Sequence, residues 1–60
     1  MRVGDLVEVF GFDRTGDLDK VLGSRVGVLM GWDPSDEGWI VLLDGQLQTY
    51  PKTWWRCRRA

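Results

Sequence analysis

Apolar and polar residues alternate along this 60-residue chain over short stretches and do not hold helical spacing for long. Residues 2–10 read as a first strand, entered through a turn-like Gly4-Asp5, with Val7 and Val9 on one face and Glu8 on the other. Residues 11–24, with glycines at 11, 16 and 23, read as a long irregular loop. Residues 25–32 read as a second strand, where Val26, Val28 and Met30 alternate with Gly27, Leu29 and Gly31. Glycine there lets another backbone or a bulky ring approach closely. Residues 33–38 form a turn, opened by Asp33-Pro34 and closed by Gly38.

The third strand, residues 39–43, is apolar at every position and so predicts cover on both faces. Trp39, Val41 and Leu43 are expected inward, and Ile40 and Leu42 outward as a subunit interface. Asp44-Gly45 is a two-residue hairpin signal leading into a fourth strand over residues 46–50. Pro51 to Trp55 reads as a tight, one-turn 3₁₀ segment before a final short strand. In that strand Trp55 plugs the core, Cys57 faces it, and Arg56 and Arg58 face out. Five short strands with regularly spaced turn signals predict an all-β fold, a small barrel with residues 1–60 as a single domain.

Size sharpens this picture. A chain this short buries only about 60% of the surface that its unfolded form exposes. Small domains usually need a staple. Cys57 is the one cysteine and there is no histidine, which excludes an intramolecular disulfide and leaves no ordinary zinc set. Four Trp, two Phe and one Tyr supply more aromatic surface than so small a core holds. Self-association is therefore the expected staple. Met1 to Asp5 has no apolar leader-like stretch, and the longest apolar run, Trp39 to Leu43, is too short to span a membrane. A soluble protein, cytoplasmic when made, is expected.

Charge adds an asymmetry. Residues 1–51 carry nine acids and four bases, a net of −5, whereas residues 52–60 carry four bases and no acidic side chain, a net of +4. An acidic body with a basic end suits head-to-tail docking or a polyanion, against the plainer reading of a solvated terminal strand.

Candidate chemistry is sparse. Without histidine a catalytic triad is absent. Cys57 lies between arginines, but its alternation places it inward as a small hydrophobe. The carboxylates of 13–19 and 33–37 lack the spacing of a calcium loop. Trp54 is the sharper feature: with Trp55 inward, it projects outward beside Tyr50, Lys52 and Arg56. There it suits a pocket on a partner protein, a flat ligand or a nucleic-acid base. Trp54, Tyr50, Lys52, Arg56, Arg58, Arg59, Ile40 and Leu42 are the candidate partner-binding residues. Single-stranded nucleic acid is a third-ranked partner, because the acidic body offers few phosphate contacts.

Two resemblances bear on function. Val3-Gly4-Asp5-Leu6-Val7, the hairpin at Asp44-Gly45 and the turn Tyr50-Pro51-Lys52-Thr53-Trp54-Trp55 resemble the small SH3-like barrels of tailed bacteriophages. That resemblance covers nearly the whole chain and implies a non-enzymatic assembly module, of the kind that decorates or cements a virion. Gly4-Asp5, Gly27, Gly31-Trp32, Glu37-Gly38-Trp39 and Gly45-Gln46-Leu47-Gln48-Thr49-Tyr50-Pro51 are also similar to the type II, trimethoprim-insensitive dihydrofolate reductases. That similarity implies a homotetramer using NADPH, with Gln48, Thr49 and Tyr50 lining a central pore. Here Thr49 stands where that family has Ile, Leu47 departs mildly from its Val, and its first-strand basic residue aligns near Val9.

Overall fold

The structure, a computed structural model, describes residues 1–12 and 21–60. It is an all-β, five-stranded antiparallel barrel. The strands are β1 (Leu6–Phe12), β2 (Val21–Asp33), β3 (Gly38–Leu43), β4 (Gln46–Pro51) and β5 (Trp55–Arg59). Their order across the sheet is β4-β3-β2-β1-β5.

β2 is the spine. Its first half pairs with β1, from Phe12↔Val21 to Leu6↔Val28. Its second half pairs with β3, from Val28↔Leu42 to Asp33↔Gly38. The two ladders overlap only at Val28, so β1 and β3 flank different halves of β2 and the sheet can bend between them. Gly27 makes that possible. A Cβ there would sit 2.6 Å from the Leu42 carbonyl oxygen and 2.7 Å from a Val41 methyl, which is the close backbone approach that a strand glycine permits. Beyond Leu29 the β2–β3 register slips by one residue, leaving Met30 as a bulge.

The β3–β4 hairpin turns on Asp44 and Gly45, with φ of 49° and 76°. Two successive positive φ values are the signature of the two-residue turn whose twist matches its strands. Ser35 and Asp36 donate their backbone N–H to the Asp33 carboxylate and cap the 33–38 turn, and the Ser35 hydroxyl donates to it as well. The segment ahead of β5 closes with the Trp54 N–H donating to the Pro51 carbonyl at 3.1 Å. That i+3→i bond makes the expected turn before the last strand.

Val7, Val9, Leu29, Val41 and Tyr50 form the core, with Trp39, Leu43, Trp55 and Cys57 packed against it. Burying each of these valines stabilises the barrel by about 1.5–3 kcal/mol. β4 and β5 are not hydrogen-bonded neighbours. The barrel closes between them through side chains, the Tyr50 and Trp55 rings meeting edge to face at 4.9 Å.

The observed boundaries correct several expectations. Residues 2–5 form a turn rather than strand, with the Asp5 N–H donating to the Arg2 carbonyl and the Arg2 N–H to the Asp5 carboxylate. β1 runs on to Phe12, and β2 begins at Val21. Part of the expected 11–24 loop is thus paired strand, and its remainder, residues 13–20, lies outside the described residues. Gly38 and Pro51 join their strands. Pro51 is tolerated because β4 is an edge.

Candidate interaction surface

Pairing register, not any single residue, builds the most prominent surface. Leu6 faces Val28, Val28 faces Leu42, and Leu42 faces Leu47. Directly paired residues point to the same face of a sheet. These four therefore form one apolar row across β1, β2, β3 and β4, on the face away from the core. Leu6 is 56% exposed and Leu47 63%, with Val28 and Leu42 half-buried between them. Val26 and the bulged Met30 are also exposed, and Ile40 is half-buried beside Thr49. Ile40 and Leu42 thus lie on the outer face, as their alternation predicts. Leu6, Val28 and Leu47 were not among the expected site residues. Leu47 was reachable from sequence, since a hairpin at Asp44-Gly45 fixes it opposite Leu42.

The paired indoles separate as expected. Trp54 is exposed at 53%, whereas Trp55 packs on the core and covers Gly11 with its ring 3.5 Å from where a Cβ would stand. Tyr50 does not flank Trp54 on the surface. It is buried, edge to face with Trp55, and its hydroxyl donates to Gln48 Oε1 at 3.2 Å. The reason is register: Tyr50 lies opposite Trp39, on the inner face of β4.

The basic end is matched to acids of the same chain. Arg58 meets Glu8 at 2.7 Å and lies over the Phe10 ring. Arg59 reaches Asp5 at 3.5 Å, and Lys52 reaches Glu37 at 3.7 Å. Arg56 donates to the carbonyls of Lys52 and Trp55. Such exposed pairs contribute at most about 1 kcal/mol each. They do neutralise locally the charge asymmetry that head-to-tail docking would use. The Asp5 carboxyl is held below its ordinary range by the Arg2 N–H first and by Arg59 after it. The Ser35 hydrogen bonds do the same for Asp33. Cys57 is half-buried with its thiol against the Met1 thioether, and burial pushes its pKa up, away from the thiolate.

On the inner face, Gln48, Tyr50, Gln46, Arg25, Asp44 and Trp55 line an open cavity of about 590 Å³ at the β4 side of the barrel mouth. Thr49 points to the opposite face, opposite Ile40. Val9, near which the reductases' basic residue aligns, is wholly buried. The three residues of the pore reading are therefore divided between two faces within one chain. Among the described residues no group of three or more His, Cys, Asp or Glu side chains is placed to hold a metal ion. No helix among them is long and apolar enough to cross a membrane. Compared with known proteins, the chain matches no family model, no curated sequence and no solved structure.

Proposed function

We propose that this protein is a non-enzymatic assembly module that associates with copies of itself through the outer face of its sheet. The observation that carries this reading is the in-register row Leu6–Val28–Leu42–Leu47. Scattered exposed apolar side chains are ordinary, but a contiguous band across four strands is the mark of a contact surface. The small core supports the same reading, because a domain of this size gains stability from a neighbour. Trp54, exposed in the turn between β4 and β5, would offer a further aromatic contact. The resemblance to tailed-phage barrels extends the proposal to a virion-associated assembly.

The reductase reading is not taken further, given the burial of Val9 and the outward Thr49.

Sedimentation velocity over a wide concentration range tests the proposal. The native chain is expected to associate, and a Leu6→Ser, Leu42→Ser double variant to remain folded by circular dichroism while its association is weakened. A native chain that stays monomeric at the highest concentration overturns the reading.

A further inference from the structure

The sheet has two edges, and they are guarded differently. β5 carries Arg56, Arg58 and Arg59, the kind of charge that keeps an edge from pairing with another strand. β4, Gln46–Pro51, carries no charged residue at all. Gln46, Leu47 and Gln48 are exposed along it. The hairpin register decides which of its backbone groups are available. In a two-residue hairpin the residues flanking the turn, here Leu43 and Gln46, bond to each other. Bonding then alternates along the strand, so Gln46, Gln48 and Tyr50 direct their N–H and C=O toward β3. Leu47 and Thr49 direct theirs away, to the unpaired edge. Pro51 occupies the next outward position and has no N–H to offer.

We propose that the first partner of this module is a second copy of itself, joined by antiparallel pairing of β4 with β4 about a two-fold axis. The proposal rests on the assembly reading and names its first contact. Only one register uses both outward residues of each strand and leaves Pro51 out. It sets Leu47 of each copy opposite Thr49 of the other, as hydrogen-bonded pairs, with the two Gln48 residues facing each other on the axis. A two-fold pairing is self-complementary, as isologous interfaces require. Pairing β5 with β5 instead would set arginines against arginines. Pairing β4 with β5 would set the arginines, already matched to Glu8 and Asp5, against a strand without acids. In the β4 pair the exposed Leu47 side chain lies over Thr49 of the second copy, on the outer face. The two apolar rows then join into one continuous band, and the inward-facing Gln48 carboxamides meet across the axis.

Cross-linking reads the register directly. Facing residues of a non-hydrogen-bonded pair have Cα atoms about 4.5 Å apart, within the range a disulfide bridges. In a Cys57→Ala background, Gln48→Cys is expected to oxidise to a covalent dimer at least about tenfold faster than Thr49→Cys, because two copies of residue 49 sit diagonally across the axis. Gln48 is exposed; the substitution removes the acceptor of the Tyr50 hydroxyl, and circular dichroism checks that the barrel still stands. Amide exchange gives a second measure: the Leu47 and Thr49 N–H groups are expected to gain protection as concentration rises. Association with equal cross-linking at positions 48 and 49, and no gain in protection, overturns edge pairing and leaves the assembly reading in place. The absence of any association overturns both.

Discussion

Gly27 is the residue on which the geometry turns. The Leu42 carbonyl and the Val41 and Leu43 side chains already occupy the space that a Cβ would need. Two of those atoms belong to branched side chains and one to a paired backbone, so relief requires the β2–β3 ladder to move. Overpacking of this kind costs about 1–3 kcal/mol. Gly27→Ala is expected to lower the unfolding free energy read from urea titration by that amount, while Gly23→Ala, with nothing within 4 Å of the new methyl, leaves it nearly unchanged. Asp5 sets a second expectation. Its folded pKa lies below its ordinary 3.8, chiefly through the Arg2 N–H. A carboxylate depressed on folding contributes stability that is present above the unfolded value and is lost as pH falls through the folded one. Stability is therefore expected to decline as pH drops below about 3.8, where Asp33 adds to the same slope. In Asp5→Asn the decline over that window should be shallower, measured by denaturant unfolding at successive pH values.

Among the strands, β4 and β5 show how much a side-chain seam can replace hydrogen bonds. Tyr50 against Trp55 is the closing contact of the barrel. Trp55→Ala is expected to cost about 3–5 kcal/mol, the range for an aromatic packed on a core, and so to unfold much of the population at room temperature. Trp54→Ala, at an exposed position, should shift stability far less, and thermal melts of the two variants separate the neighbours. This division was legible from sequence because the last strand alternates cleanly from Trp55 to Cys57. The place of Tyr50 is legible too: counting from Asp44-Gly45 puts it opposite Trp39. The start of β2 was not. Gly23, Ser24 and Arg25 carry no apolar alternation, and their strand character comes from β1, whose Phe10 and Gly11 pair with Ser24 and Gly23. For the same reason Leu6 and Val28 could not be joined to Leu42 beforehand. The segment linking β1 to β2 holds no turn signal that sets their register, and half of the apolar row depends on it.

At the scale of the molecule, the proposed assembly ties stability to association. A partner that binds only the folded chain raises its apparent stability by mass action. The melting temperature is therefore expected to rise with protein concentration. In the Leu6→Ser, Leu42→Ser variant that dependence should be weaker, as followed by calorimetry. A concentration-independent melting temperature in the native chain would contradict the assembly reading. The expectation of more apolar surface than one barrel can hide was sound in outline. The outward side of the sheet carries that surplus, and the Trp55 and Tyr50 rings do not.

The first and last strands are partners. β1 pairs with β5 from Val7↔Arg59 to Gly11↔Trp55, and the Ala60 N–H reaches the Leu6 carbonyl. The ends of the described chain therefore lie side by side, and the ladder that joins them has the longest sequence separation in the sheet. Such distant pairing delays folding, because the loop must close before any contact rewards it. During synthesis the nascent chain would have β1 waiting, one side bare, until β5 left the ribosome. A permuted chain, with its old ends bridged and new ones cut at Asp44-Gly45, would make β1–β5 a local hairpin and β3–β4 the distant ladder, so the late closure should pass to that pair.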